Sequence, residues 1–349
     1  MKNPFNIIYG KIPTSLVTRS DAFEKITGAF LDEDTEAATY IVTGIRGSGK
    51  TVLLRSVQNE ISKRDNWITI NLNPQDNLVS CFAAKLYEEV KKNKIDFGWT
   101  INVSFPYVTF NISKKKDSVP ADIAIPHLLD VLVKKGKRIL ILIDEVNQTK
   151  QFKIFVNLYQ YLIGSNYPLF LLMSGLFENV DALISDKASS FLSRSPKIVL
   201  GPLNLISVSK TYQKDLGASA EDANELAKLS QGYAFAFQVI GKLCFEKGKT
   251  KIDDELLSDL DTYLNENGYN VIWKGMTNIE RKICVALAKA KDGETTEISK
   301  IVGLKKSNFN NFRARMIYKG YLVSTGYGKL AFALPRFKEF VLNVEAFMN

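Results

Sequence analysis

Two short runs carry the residues with the clearest chemical purpose. Gly44-Ile45-Arg46-Gly47-Ser48-Gly49-Lys50-Thr51 fits G-x-x-x-x-G-K-[ST] at every fixed position. A β-branched apolar run precedes it and a stretch with helical spacing follows. Glycines at 44, 47 and 49 let the backbone curl until successive N–H groups face an anion, and the start of a helix adds its positive end. Lys50 can then reach the β- and γ-phosphates of a nucleoside triphosphate, and the Thr51 hydroxyl can ligate Mg2+. Ile45, Arg46, Ser48 and Val52 belong to the same binding stretch. The plain alternative is a glycine turn before an amphipathic helix. The second run is Ile139-Leu140-Ile141-Leu142-Ile143-Asp144-Glu145. A carboxylate at the end of a buried strand meets no packing need and is costly without a cation. Asp144 can hold Mg2+ through water, and Glu145 can orient and activate an attacking water.

These residues need a scaffold, and the pattern supplies one. Strands are predicted at 39–43, 67–72, 138–143 and 169–173, alternating with helices at 50–64, around Leu78 to Val90, at 126–135 and at 152–163. Strands apolar throughout, separated by helices, predict an α/β fold with a parallel sheet covered on both faces. The stretch from Ile101 to Ile112 alternates with period two around Pro106, which reads as an edge hairpin or paired strands inserted in the domain. Lys114, Lys115 and Lys116 read as a solvated loop. From Ser207 to about Asn267 the pattern is helical, with eleven acids and seven lysines.

Composition narrows the function. The 349 residues exceed what one hydrophobic core usually supports, so several domains are expected. No apolar run is long enough to span a membrane, and the N-terminus lacks the pattern of a secretory signal. Cys81, Cys244 and Cys284 lie far apart among apolar neighbours, which suits thiols in a reducing, cytoplasmic setting. His127 is the only histidine, which argues against His-based metal sites and Ser-His triads.

The net charge is +9, and it is uneven: from Val271 onward fourteen Lys/Arg face six acids, a surplus of eight. This tail reads as three helices and a hairpin. Thr277 with Glu280 opens the first helix, Thr295/Thr296 the second, and the third runs from Lys305 to Tyr318. Strands Tyr321–Val323 and 329–333 flank the turn Thr325-Gly326-Tyr327-Gly328. That order is a winged helix-turn-helix. Lys305, Lys306, Ser307, Asn308, Asn311 and Arg315 share the outward face of the third helix, and Lys329 lies at the wing. Long cations among amides suit a recognition helix on double-stranded DNA. Winged helices also serve as protein-interaction and autoinhibitory modules, and that alternative stays open.

With both motifs in place, the chain from Pro13 to about Pro335 resembles the AAA+ ATPases, particularly the prokaryotic group related to origin-recognition initiators and STAND signalling ATPases. The resemblance implies ATP as the nucleotide and Mg2+ as its ion. It makes Ser174, ending Leu169–Ser174, the candidate sensor. Arg194 becomes the candidate arginine finger, which often acts across a subunit interface and so implies a possible homo-oligomer. Pro13, Leu16 and Val17 would line the adenine pocket. In the lid, where initiators place a sensor arginine, this chain has Ser230-Gln231-Gly232-Tyr233-Ala234-Phe235. That is similar to the Gly-x-Pro element of STAND ATPases with Ala234 replacing proline, and implies slow, partner-stimulated turnover. The expected division is an ATPase domain (1–202), a helical lid (203–270) and a winged helix (271–349). The expected function is a nucleotide-controlled DNA-binding ATPase; the alternative is a STAND-like switch with a protein partner.

Overall fold

Ile139 to Ile143 contains no polar residue, and the strand it forms is covered on both sides. Ile139, Ile141 and Ile143 enter one buried cluster, while Leu140 and Leu142, also buried, face the opposite layer. The computed structural model describes all residues except 1, 9, 34, 36, 94–98, 105–106, 113–117 and 349. For 99–104, 107–112, 118, 187–190 and 348 it describes the backbone alone. The lysines at 114–116 and Pro106 lie outside the described residues.

The chain divides into two compact units. One comprises residues 19–43 and 50–199. It begins with α1 (Ser20–Leu31), β1 (Thr39–Thr43), α2 (Lys50–Ile61), β2 (Trp67–Leu72) and α3 (Leu78–Lys92). Strands β3 (Trp99–Ser104), β4 (Tyr107–Ile112) and β5 (Ser118–Pro120) follow, then α4 (Ala121–Val133), β6 (Arg138–Ile143) and α5 (Lys150–Gly164). It closes with β7 (Leu169–Gly175), α6 (Phe177–Ile184), a 3-10 turn over Lys187–Arg194, and β8 (Lys197–Val199).

Five strands form a parallel sheet in the order β2-β6-β7-β1-β8. Thr39 pairs with Leu171, and Ile41 with both Met173 and Lys197. Helices α3, α4 and α5 cover one face through Phe82, Leu86, Leu128, Leu132, Phe155 and Tyr159. On the other face Phe30 of α1 meets Tyr40 and Phe170 edge-on, and α2 packs over β6 and β7. The paired strands expected over 101–112 are present as β3 and β4, antiparallel, and β5 adds a third strand to a separate small sheet.

One helix differs from expectation. It begins at Ala121, not Pro126, and runs through the proline. Ala121, Ala124, Ile125, Leu128, Leu129 and Leu132 keep helical spacing across it, and burying that stripe outweighs the one N–H that proline lacks.

The other unit comprises residues 1–18, 44–49 and 200–349. Its helices are α7 (Leu205–Leu216), α8 (Ala220–Ser230), α9 (Ala234–Lys247), α10 (Asp254–Leu264), α11 (Asn270–Gly275) and α12 (Asn278–Lys289). A single π-helical turn, Asn265–Tyr269, joins α10 to α11. Then come α13 (Thr295–Val302), α14 (Lys306–Tyr318), the antiparallel hairpin β9 (Leu322–Gly326) and β10 (Lys329–Phe332), and α15 (Phe337–Met348). The three helices and hairpin thus follow the predicted order, with β9 running on through Gly326 so that Tyr327 and Gly328 form the turn. The last helix was not evident from periodicity.

One buried cluster runs from Phe5 through α7–α10 to Phe337, Phe340 and Val341 of α15. The N-terminal segment is pinned to α9: the Phe5 ring sits over Gly241, and the Gln238 side chain accepts from Asn6 N–H (2.9 Å) and donates to the Ser15 carbonyl (2.8 Å).

Candidate functional site

The loop 44–49 leaves the end of β1 and leads into α2. Gly47 (φ 76°) and Gly49 (φ 93°) both lie in the left-handed region, where other residues are strained. Gly44 packs so closely on Ser48 and Leu200 that a side chain would collide with them. Ser48 N–H donates back to the Ile45 carbonyl at 3.1 Å, closing the curl. Lys50 opens α2 with its side chain buried, 9% exposed. A lysine so enclosed at a helix start suits an anion close by.

The expected acid pair stands at the end of β6, and the neighbouring strand completes the cluster. Asp144 accepts from the Thr51 hydroxyl at 2.5 Å, from the Glu145 N–H at 3.1 Å, and from the Ser174 hydroxyl at the end of β7. Ser174 is fully buried, and its carbonyl accepts from Val146 N–H at 2.8 Å. Because β7 lies between β6 and β1, sheet order alone delivers that hydroxyl to that carboxylate. Glu145 is exposed and adopts φ 56°, one of only four non-glycine residues in the left-handed region among those described. Such conformations gather at functional sites, where the surroundings hold them in place. Thr149 caps α5 by accepting from Phe152 N–H at 3.1 Å, which ends the loop carrying Glu145.

Two residue sets therefore meet the needs of a nucleotide and its ion. The glycine curl and buried Lys50 suit phosphate; the Thr51 hydroxyl and Asp144 carboxylate, already in contact, are hard oxygen donors suited to Mg2+. Arg194 ends the 3-10 turn as an exposed side chain. Of the three residues expected against adenine, Pro13 and Val17 are buried and Leu16 is half-buried, with Val17 in the core around α9.

Lys305, which precedes α14, and Lys306, Asn308 and Asn311 on it are exposed. Arg315 and Lys329 are exposed as well, but each is paired with a glutamate of the same domain. Arg315 Nη2 pairs with Glu280 at 3.1 Å and Lys329 Nζ with Glu294 at 3.4 Å. Glu280 is fully buried and also receives Lys319 at 3.2 Å, while closing the predicted capping box with Thr277.

Sequence reasoning missed one group. The Tyr233 hydroxyl donates to the Arg46 carbonyl of the loop at 2.8 Å. The available signal was chemical: a tyrosine inside an apolar run brings a hydroxyl that needs a partner once buried.

Residues 16–187 match the model of a family described as an ATPase domain predominantly from Archaea. Residues 266–341 match a domain of unknown function, DUF8462. None of the curated proteins matches the sequence. Among solved structures the chain is similar to a Walker-type ATPase of Pyrococcus abyssi: TM-score 0.65, 14% identity, 94% of this chain and 96% of that one. It is also similar to the ORC2 protein of Aeropyrum pernix in ADPNP–ADP complexes: TM-score 0.61, 14% identity, 98% and 97% covered. The parallel sheet, the curled loop and the strand-end acids are those of a P-loop ATPase domain. Residues 16–187 thus carry the archaeal-type ATPase domain, and the fold of the whole chain is shared with these two solved structures. No helix of the described residues is long and apolar enough to cross a membrane.

Proposed function

We propose that this ATPase controls DNA binding by its nucleotide state, through an ATPase domain (1–202), a lid (203–270) and a winged helix (271–349). The observation that carries the catalytic half is the Asp144 carboxylate, held by hydroxyls from α2 and β7. ATP bound at this site supplies the phosphoryl group, and Mg2+ offsets the charge that develops on it. Backbone N–H groups of the stretch Gly44 to Val52, other than that of Ser48, would serve the phosphates, and Lys50 would add a point charge. Thr51 and Asp144 hold the ion, and Glu145 orients the attacking water. Ser174 keeps Asp144 turned toward Thr51. Pro13, Leu16 and Val17 flank the base. Arg194, exposed, suits a finger offered to the site of a neighbouring copy.

The DNA half rests on the exposed Lys305, Lys306, Asn308 and Asn311 and on the charge surplus around them. Arg315 and Lys329, exposed but each paired with a glutamate, would add their charge beside these residues. Duplex binding, with and without ATP, tests the reading in wild type, Lys50→Ala and Glu145→Gln. Glu145→Gln should bind ATP, lose most hydrolysis and retain the ATP-state DNA affinity. Lys50→Ala should lose ATP binding and all nucleotide dependence. Absence of salt-sensitive affinity for any duplex at low salt defeats the DNA half.

A second reading, a STAND-like switch with a protein partner, has one contact in its favour. Gly320, just past α14, lies against Ile45, where a Cβ on the glycine would stand 3.8 Å from that of Ile45. The winged helix would then clamp the phosphate loop from within the chain. Nucleotide-dependent oligomerisation without DNA selects this reading.

A further inference from the structure

The loop 44–49 is gripped from the lid at two successive carbonyls. The Tyr233 hydroxyl donates to the Arg46 carbonyl (2.8 Å), and the Phe235 N–H donates to the Gly47 carbonyl (3.1 Å). Phe235 lies in the first turn of α9, whose N–H groups have no partner inside the helix, so the loop completes that end. The grip is close. A Cβ on Gly47 would collide with the Tyr233 hydroxyl and the Phe235 side chain.

A trans peptide points its C=O and N–H in opposite directions. Fixing the Arg46 carbonyl toward Tyr233 therefore turns the Gly47 N–H away from Tyr233, and fixes it as firmly.

Tyr233 is itself held from behind. It is 5% exposed. Gly232 before it adopts φ 71° and accepts from Leu203 N–H at 2.7 Å, an approach too close for any side chain. The Tyr233 ring stacks on Tyr269, with centroids 6.5 Å apart and planes at 22°. Tyr269 ends the π-helical turn, a feature that often marks functional positions. It packs edge-on against Phe337 and Phe340 of α15, and its hydroxyl donates to the Pro335 carbonyl at 2.5 Å. A continuous path of buried groups thus leads from the Arg46 carbonyl to the last helix.

We propose that Tyr233 is a positioning residue for nucleotide, its hydroxyl setting the Arg46–Gly47 peptide and linking that peptide through Tyr269 to the C-terminal helices. The inference rests on the ATP-binding reading of the loop. It assigns to a neutral phenol the coupling of lid to nucleotide that a charged sensor would otherwise provide.

Tyr233→Phe keeps the ring and the stack and deletes only the hydroxyl. The full-length variant is compared with wild type, Lys50→Ala and Tyr212→Phe. Tyr212 is the stability control: it loses an equally buried hydrogen bond, to the Phe237 carbonyl at 2.9 Å, away from the loop. Two measurements are made, equilibrium affinity for a fluorescent ATP analogue and amide hydrogen exchange of residues 265–275 with and without that analogue.

Tyr233→Phe should weaken the analogue by about threefold to tenfold, the effect of one buried hydrogen bond. Wild type should show nucleotide-induced slowing of exchange at 265–275 and Tyr233→Phe should not; absence of that slowing in wild type overturns the link through Tyr269. Tyr212→Phe should match the loss of melting temperature of Tyr233→Phe yet bind and protect like wild type. If Lys50→Ala loses the analogue while Tyr233→Phe binds and protects like wild type, the inference fails and the ATP reading stands. Equal losses of affinity in Tyr233→Phe and Tyr212→Phe also overturn it, since both would then reflect stability alone. If Lys50→Ala binds as wild type does, the ATP reading falls first and takes the inference with it.

Discussion

At position 174 the side chain is fully buried and its hydroxyl donates to a carboxylate, whereas a serine that merely ends a strand would face solvent. Ser174→Ala is expected to leave ATP affinity little changed and to lower turnover about tenfold, the usual order for a group that orients a metal-binding residue. Unchanged turnover, measured at saturating ATP, would reduce Ser174 to a turn residue. Glu280 raises a different question, because no solvent reaches it while two cations do. Burial alone would push its carboxyl up; the Thr277 N–H and hydroxyl, then the Lys319 charge, more than offset this and leave it below the ordinary 4.5. A carboxyl depressed in the folded state adds stability above its unfolded value, and that stability is lost as pH falls through the folded value. Wild type should therefore lose melting temperature below about pH 4.5. Glu280→Gln should cost about 1–2 kcal/mol at pH 7 and flatten the acid limb. Melting curves from pH 7 to about pH 3 decide this, and an acid limb of unchanged steepness would assign it to other groups.

At the scale of elements, α9 carries the attachment of the N-terminal segment, and Gly241 is its weak point. A methyl group there would occupy the place of the Phe5 ring, which is 3% exposed and meets Tyr212 and Phe237. Gly241→Ala should expel Phe5 at a cost of about 1.5–3 kcal/mol and make residues 2–18 the first site of protease cleavage. Protection equal to wild type would mean that the ring has found another seat. What the sequence revealed about elements follows from how local each signal was. Strand β6 and the loop 44–51 were legible because an unbroken apolar run and a fixed spacing lie within a few residues. The sheet neighbour that brings Ser174 to Asp144 was legible only through family resemblance, since no local pattern encodes strand order. The start of α4 was not legible, because Pro126 breaks the local rule and only the buried stripe beneath it restores the helix. Helix α15 and the Tyr233–Arg46 contact escaped for a related reason. Both are decided by packing between residues far apart in the chain.

Over the whole molecule, charge is the feature most open to experiment. If about five phosphates are neutralised, log affinity for duplex should fall against log salt with a slope of roughly −4 to −5. Replacing Lys305 and Lys306 together by Ala should weaken binding to all sequences and reduce that slope by about 1.8. Asn311→Ala should instead change sequence preference by about 1–3 kcal/mol. A slope unaltered by the double substitution would move the DNA contact off α14. Strand order carries a further consequence, for the chain as it is being made. Strand β1, which leads into the phosphate loop, has β7 on one side and β8 on the other: Thr39 awaits Leu171, and Ile41 awaits Lys197. On the ribosome β1 therefore emerges early with neither neighbour in existence, an apolar ribbon whose partners are among the last parts of its sheet to be translated. Contacts so distant form slowly and leave intermediates prone to aggregation. ATP stabilises only a chain that can already bind it, so nucleotide gives the nascent protein no help until β7 and β8 have closed around β1. Over that interval the segment Thr39–Thr43 is expected to be a target for chaperones.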